Sequence, residues 1–305
     1  MQLPIESLNL QMLNVGFARQ NGDWNWEDVS SPFTRIYYVT EGKARLLIHR
    51  LTGNGPKENG YIVATLAEKT SVVTLRPGHL YIIPAYTRHS YECNGVFGHY
   101  YLHVYEGFKK ETDVFERYDF PTEVEAWPGD EGLLADMCSR HPEAQLPESN
   151  PRSYDNTTNF TDYVKRYNSL PLWKKMQLRG AILILFSHFM EKAVPKLWTQ
   201  DERMTKVLAH IHRHLYKDIS IETLASVACL TKTYLIRIFK RELGISPLQY
   251  INQKKVERAE LLLLTNDMPV KEISYMLGFN DHSYFIRLFR KLTGTTPLEY
   301  RQRMR

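Results

Sequence analysis

Two sets of polar and cationic side chains recur at the same spacing in the last third of the chain. They are Lys232, Thr233, Arg237, Lys240 and His282, Ser283, Arg287, Arg290. A guanidinium group donates two parallel hydrogen bonds to guanine, and an ammonium group neutralises a phosphate. The pattern therefore predicts contacts with the bases and phosphates of a nucleic acid. The alternative is a solvated helix face whose cations form surface ion pairs.

These side chains belong to an internal repeat. The segment TYLIRIFKRELGISPLQY at 233–250 returns as SYFIRLFRKLTGTTPLEY at 283–300, with 8 identities in 18 aligned positions. Apolar residues recur at helical spacing in both copies, which predicts a helix with one buried and one exposed face in each.

A short helix and a turn are predicted before each copy. Ser220 and Thr231 are expected to cap the two helices of the first copy. In the second copy Pro269 precedes the first helix, Gly278 forms the turn, and Asn280 is expected to cap the second helix. Each copy is therefore predicted to form a helix, a turn and a second helix, the arrangement that presents a helix to a DNA major groove.

A linking helix is expected between the two copies, from Pro247 to about Leu264. At about 1.5 Å per residue it would span roughly 27 Å, which approaches the ~34 Å repeat of DNA once the width of the two units is added. This spacing favours binding in adjacent turns on one face of the duplex.

Residues 204–305 resemble the paired helix-turn-helix domain of the AraC/XylS transcription regulators, in the GFxxxSYFxRxFxK run at 278–291 and the GxxPxxYR run at 294–301. The resemblance implies promoter double-stranded DNA, a small-molecule effector and RNA polymerase as partners, with no cofactor and no enzymatic activity. Carried over position by position, it assigns base contacts to Thr233, Ile236, Arg237, His282, Ser283, Ile286 and Arg287. Lys232 and Lys240 are expected to contact phosphates.

Residues 33–105 carry a different pattern, in which short β runs are separated by turn signals. The runs are FTRIYYVT, ARLLIHRL, YIVATLA, SVVTL, HLYIIPA and HYYLHVY. They predict an antiparallel barrel or jelly roll, and residues 75–93 resemble the second half of a cupin repeat. The expected fold is α+β, with a cupin-like sensor domain at 1–170, a dimerisation helix and linker at 171–200, and an all-α domain with two helix-turn-helix units at 201–305.

Polar aromatic residues alternate along these strands, where a purely structural barrel would more often carry aliphatic residues. The candidates for binding a small polar molecule, such as a sugar, are Arg35, Tyr37, Tyr81, His89, Tyr101 and His103. Two alternatives stay open: Arg35 as an ordinary surface residue, and the strand face that carries His99 and His103 as an outer face.

The sequence disfavours a metal site and an enzymatic role. A catalytic cupin needs three or four convergent ligands, and only His89 is a clear candidate, because residues 33–49 lack a His-x-His followed by Glu. His210 and His214 are one helical turn apart, but no third ligand completes a site. The rival interpretations are a cupin-type enzyme with a helical appendage and a constitutive DNA-binding protein whose barrel only dimerises.

Residues 172–192 predict a long helix that is apolar nearly all round in its middle. More of its residues are apolar than one docking face needs, so a homodimer through this helix is expected. They are Ile182, Leu183, Leu185, Phe186 and Phe189. The alternative is a helix fully buried within a single chain.

The 305 residues suffice for two domains with separate cores. Residues 201–305 hold 18 Lys and Arg against 11 Asp and Glu, whereas the first 200 hold 21 against 23, so the positive excess lies in the predicted DNA-binding half. Three cysteines without CxxC spacing, and no signal or long apolar run, lead us to expect a cytoplasmic protein without a membrane segment. Trp24 and Trp26 either pack onto the barrel or belong to a mobile arm.

Overall fold

The computed structural model describes residues 5, 8–52, 57–58, 61–62, 67–106, 114–155, 157–195, 201–265 and 268–303. The chain forms two compact units. The first comprises residues up to 194 apart from 52–67 and 110–112, and the second comprises those two segments and the residues from 195 on.

The strands, numbered in chain order, are β1 (Leu10–Asn21), β2 (Trp26–Val29), β3 (Thr34–Gly42), β4 (Ala44–Thr52), β5 (Lys57–Glu58), β6 (Tyr61–Ile62), β7 (Ala67–Leu75), β8 (His79–Ile83), β9 (Arg88–Glu92), β10 (Val96–Glu106), β11 (Tyr118–Asp119), β12 (Glu123–Glu125) and β13 (Val194–Pro195). The helices are α1 (Val114–Arg117), α2 (Asp130–Arg140), α3 (Pro151–Tyr154), α4 (Thr157–Ser169), α5 (Leu172–Glu191), α6 (Glu202–Arg213), α7 (Ile221–Val227), α8 (Lys232–Leu243), α9 (Pro247–Thr265), α10 (Val270–Met276), α11 (His282–Thr293) and α12 (Pro297–Arg303).

Two sheets with antiparallel strand pairs build the first unit, as the β runs predict. One has the strand order β1-β10-β3-β8-β12 and the other β2-β9-β4-β7. Side chains from both sheets, among them Tyr37, Leu46, Tyr81 and Tyr91, meet in one buried cluster. The opposite side of the five-stranded sheet packs on helices α2 and α5. This sheet is therefore buried on both faces, which explains the nearly continuous apolar runs in its strands.

Strand β1 is the largest departure from the sequence analysis, which predicts no strand before residue 33. It pairs with β10 from Leu10 opposite Glu106 to Asn21 opposite Val96. The register shifts just after Met12, and an extra residue at that point breaks the alternation of apolar and polar side chains that reveals a strand. The predicted run YIVATLA falls partly outside the described residues.

Helix α5 begins and ends close to its predicted bounds, but its apolar residues lie inside the first unit. Ile182, Leu185, Phe186 and Phe189 are buried in the core that backs the five-stranded sheet. These residues are therefore not available for a contact between two copies, and the alternative of burial within a single chain applies to them; the homodimer itself stays a prediction.

Helices α6 to α12 make up most of the second unit, so the C-terminal region is helical as predicted. Helix α9 begins at Pro247 and ends at Thr265, one residue beyond the predicted end. Leu208 of α6, Leu224 of α7 and Phe239 of α8 belong to one buried cluster, which holds the first helix pair against the helix that precedes it.

Candidate nucleic-acid interface and ligand cavity

Helix α8 is positioned by two helix caps and a tight turn. The hydroxyl groups of Ser220 and Thr231 each accept a hydrogen bond from the backbone N–H three residues later, at 3.0 and 3.3 Å. Both are the predicted caps of α7 and α8. Between the two helices Cys229 adopts a left-handed conformation with φ 53°, which reverses the chain so that α8 can begin.

Helix α8 has one buried and one exposed face. Leu235, Ile238 and Phe239 are buried, and they fix the rotation of the helix about its own axis. The predicted contact residues lie on the other side, with Ile236 half-buried and with exposed Lys232, Thr233, Arg237 and Lys240.

The cations of α8 differ in their local partners. Lys232 forms an ion pair with Glu222 of α7. The Arg237 guanidinium lies 5.0 Å from the ring centre of Tyr234, and it forms no ion pair within the part of the chain that the structure describes. The surface-ion-pair alternative thus does not apply to Arg237. An aromatic ring supports the flat guanidinium while leaving its N–H donors available to a partner.

Helix α11 presents a corresponding face, with one correction to its start. The cap is Asp281 and not Asn280, because the Asp281 carboxylate accepts a hydrogen bond from the Ser283 N–H at 2.7 Å. Phe285 and Phe289 are buried on the inner side. The predicted contact residues are half-buried His282 and Ile286 and exposed Ser283 and Arg287.

Two of these side chains have partners inside the second copy. His282 Nδ1 lies 3.0 Å from Ser274 Oγ of α10, and the Arg287 guanidinium lies 4.0 Å from the Asp281 carboxylate. An exposed ion pair at this distance contributes little free energy. Arg287 can therefore exchange this partner for a base or a phosphate, whereas His282 is held to the neighbouring helix.

The first unit contains a cavity of about 250 Å³ with largely aromatic walls. Three of the predicted ligand residues, Tyr37, Tyr101 and His103, line it together. The Tyr101 hydroxyl accepts a hydrogen bond from Leu146 N at 2.8 Å, which fixes the segment 146–149 along the cavity wall.

The histidines of β10 face inward, which settles the choice between an inner and an outer strand face. His99 and His103 are 3% and 1% exposed. Burial lowers the pKa of His99 to about 3 and that of His103 well below its ordinary value, so both rings are neutral at pH 7. Trp24 packs beside them, with its ring centre 5.0 Å from that of His99, and it belongs to the core and not to a mobile arm.

Three predicted ligand residues are not among those that line this cavity: Arg35, Tyr81 and His89. Arg35 is buried, and its guanidinium lies 2.6 Å from the Asp155 carboxylate while also donating to Ser31. The acceptor that a buried Arg requires thus comes from the chain itself, so Arg35 is neither a surface residue nor a cavity residue. The Tyr81 hydroxyl is engaged by the Glu123 carboxylate at 3.0 Å.

His89 supports the cavity wall from behind. Its Nδ1 lies 2.7 Å from the Thr87 carbonyl oxygen and must donate there, so its Nε2 accepts from the Tyr91 hydroxyl at 2.9 Å. The Tyr91 oxygen in turn lies 2.8 Å from the Tyr37 hydroxyl, which donates to it. This chain of hydrogen bonds orients Tyr37, the one member that lines the cavity.

The described ranges contain neither a cluster of metal ligands nor a membrane-spanning helix. No group of three or more His, Cys, Asp or Glu side chains converges there, and none of the described helices is long and apolar enough to cross a membrane. The rings of His210 and His214 stack with their centres 4.1 Å apart, and His214 Nδ1 lies 2.9 Å from the His210 carbonyl oxygen.

Residues 224–303 match a family model described as a helix-turn-helix domain. Over 136 residues the chain is 30% identical to an uncharacterized HTH-type transcriptional regulator, YdeC, of Bacillus subtilis (strain 168), covering 42% of this chain and 47% of that protein. Over 86 residues it is 35% identical to the arabinose operon regulatory protein of Escherichia coli (strain K12), covering 28% and 30% of the two. Among solved structures, the C-terminal domain of the two-component response regulator yesN from Fusobacterium nucleatum is 32% identical and covers 33% of this chain and 99% of that chain, with a TM-score of 0.32.

The chain spans less than half of the length of the curated relatives it matches. These relatives are named as regulators of transcription. The aligned segment includes the repeat with its exposed cationic faces. The C-terminal helix-turn-helix domain of this chain is therefore of the AraC/XylS type.

Proposed function

We propose that this protein regulates transcription by placing α8 and α11, the second helices of two helix-turn-helix units, in successive major grooves of promoter DNA. The observation that carries the proposal is the duplicated exposed face, with Thr233 and Arg237 on α8 and Ser283 and Arg287 on α11. Each face lies opposite a buried apolar side, so the helices are held rigidly while their polar groups stay available. Base contacts by such groups give specificity, and the surrounding Lys and Arg give salt-dependent affinity.

The test is a footprint on a DNA site that the wild-type protein selects from random sequences. Arg237→Ala and Arg287→Ala are each expected to cost ~1 to 3 kcal/mol of binding free energy and to relax base preference in one protected segment. Lys240→Ala is expected to weaken specific and random DNA alike and to flatten the salt dependence by about one unit. Arg213→Ala removes the same charge from an exposed site on α6 and serves as the control.

The outcome that contradicts the two-groove proposal is equally specific. If both Arg variants leave unchanged the protection of two segments about 10 base pairs apart, neither helix reads bases in the proposed way.

The finer part of the proposal is a cupin-like jelly roll whose cavity binds a small polar effector. Tyr37, Tyr101 and His103 offer hydroxyl and neutral imidazole groups at its wall. Because Asp155 already neutralises Arg35, these groups favour an uncharged ligand such as a sugar over a small acid. Calorimetry with a panel of sugars and small acids tests this. A panel without any binding heat would favour the alternative, a constitutive DNA-binding protein whose barrel only dimerises.

A homodimer belongs to the proposal, but through the exposed side of α5. Trp173, Met176 and Ile184 are 58%, 65% and 50% exposed, and with Gly180 they follow the three- and four-residue spacing of one helix face. A second copy of the same helix offers a matching apolar surface. Light scattering that gives the mass of a monomer at roughly tens of micromolar, a concentration at which a weak dimer forms, would count against it.

A further inference from the structure

Two turns of the second unit meet over the middle of helix α9. One turn joins α6 to α7 and contains Lys217 and Asp218, and the other joins α10 to α11 and contains Gly278 and Asn280. The residue of α9 below them is Lys255. The contact links the two helix pairs directly, in addition to the covalent link through α9.

Lys255 is the buried cation of this junction. Its side chain is 3% exposed, and Nζ donates hydrogen bonds to the carbonyl oxygens of Lys217 at 3.0 Å and Gly278 at 3.2 Å. Nζ also lies 5.0 Å from the ring centre of Phe279. A buried ammonium group is costly unless its N–H groups are satisfied. Here both hydrogen bonds form only while both turns are in place. A shift of either turn would therefore leave a donor of the buried ammonium group without its acceptor.

The two turns also touch through their backbones. Gly278 has φ 68°, and a Cβ atom at this position would lie 2.4 Å from the carbonyl carbon of Lys217. Beside this contact the Asn280 side-chain amide donates a hydrogen bond to the Asp218 carboxylate at 3.0 Å. Backbone packed against backbone at this distance leaves no room for the turns to slide past each other.

The second turn is one residue longer than the first, and the additional residue is Asn280. The turn between α7 and α8 comprises residues 228–231, whereas that between α10 and α11 comprises residues 277–281. In both turns the residue after the left-handed position, Leu230 or Phe279, bonds back to the preceding helix at about the same distance, 2.9 or 3.0 Å. The insertion therefore falls at Asn280, between this bond and the cap of α11.

We infer that Lys255, Gly278 and the Asn280–Asp218 hydrogen bond form a clamp that fixes α11 relative to the first helix pair, and so sets the separation of the two DNA segments that the protein accepts. Because Asn280 lies directly before the cap of α11, a shift of this turn moves the helix. The inference rests on the proposed function of α8 and α11. A pre-oriented pair binds both segments at one separation, whereas a loosely joined pair tolerates several.

The test uses the full chain and a two-segment DNA site that the wild-type protein selects from random sequences. Insertion of about 5 base pairs between the segments rotates one by half a turn of the duplex, and we expect it to weaken wild-type binding by at least about tenfold. Lys255→Met and Asn280→Ala are expected to reduce this penalty to below about threefold. Lys254→Met removes the same charge from the neighbouring ion pair with Glu257 and is expected to keep the wild-type penalty.

A donor–acceptor exchange gives a rescue that a general loss of stability would not. Asp218→Asn combined with Asn280→Asp reverses the hydrogen bond, and it is expected to restore the penalty lost in Asn280→Ala. Wild-type penalties in folded Lys255→Met and Asn280→Ala would overturn the clamp and leave the proposed function intact. If Lys255→Met does not fold, the binding penalty of Asn280→Ala alone tests the clamp, because this variant leaves the Asp281 cap of α11 intact. If the wild-type protein selects a single segment only, the proposed function fails, and the clamp fails with it.

Discussion

The two helix pairs share a sequence pattern but differ at the left-handed residue of their turns. In the first pair this residue is Cys229, with φ 53° and an exposed side chain. In the second it is Gly278, with φ 68°, and the place that a Cβ atom would take lies against the backbone of Lys217. The first turn has room for a side chain and the second has none. A repeated sequence thus builds repeated helices, while the surroundings of each turn decide which residue it can carry.

A second difference concerns the tyrosine near the end of each repeat. The Tyr250 hydroxyl lies 2.9 Å from His212 Nε2 of α6, whereas the Tyr300 hydroxyl bonds to the carboxyl group of Glu260 on α9. The same position of the repeat therefore packs against an imidazole in one copy and an acid in the other. The stability of the second copy, and not that of the first, should therefore depend on the protonation of Glu260.

The turn comparison gives the largest expected effect. Gly278→Ala places a methyl group on a residue with a left-handed backbone conformation, where it clashes with the backbone of Lys217. We expect it to lower the free energy of unfolding by about 3 to 4 kcal/mol. Cys229→Ala is the matched change at the exposed turn and should stay within about 0.5 kcal/mol. Urea unfolding of both variants measures the difference. Equal losses in the two would show that the turns are equivalent.

The tyrosine comparison predicts an intermediate effect that depends on pH. Burial raises the pKa of Glu260 from 4.5 to about 7, so the folded protein keeps this proton to higher pH than the unfolded chain does. The stabilisation is complete below pH 4.5 and is lost as the pH rises to about 7. We expect a fall of about 2 kcal/mol over this interval, allowing for partial solvent access.

Glu260→Gln should remove this slope, because the amide does not titrate. Glu272→Gln, at an exposed position of α10, is the control and should keep the wild-type slope. Urea unfolding at a series of pH values measures it. A Glu260→Gln protein whose stability still falls by the wild-type amount between pH 4.5 and 7 would exclude this carboxyl as the source.

The helix caps give the smallest expected effect and test where the copies should behave alike. Thr231→Ala and Asp281→Ala each remove a side-chain acceptor from the first turn of α8 or α11, at a cost of about 1 kcal/mol. The charged Asp281 should cost slightly more, because a carboxylate also interacts with the helix dipole. Thr233→Ala, at an exposed position, is the control in thermal unfolding. A loss at Asp281→Ala no larger than at Thr233→Ala would argue against our cap assignment.

Features that depend on residues three or four positions apart are predictable from the amino-acid sequence alone. The caps Ser220 and Thr231 and the start of α9 at Pro247 all lie where the pattern predicts. The exposed faces of α8 and α11 follow for the same reason, since apolar residues at helical spacing fix which side is buried. The single miss in this group, Asn280, adjoins the true cap and is bonded instead to Asp218, a residue of another turn.

Contacts between groups that are distant in the chain depend on how the helices and sheets pack. The acceptor of Arg35 is Asp155, 120 residues later in the chain. Ile182 and Phe186 of α5 are covered by a sheet, and Lys255 bridges two turns that no local pattern connects. A periodic pattern shows that a side chain must be buried or paired, but it does not identify the partner. The partner is chosen when the elements pack, because a buried charge or apolar face is stabilised by whichever group the fold brings within contact distance.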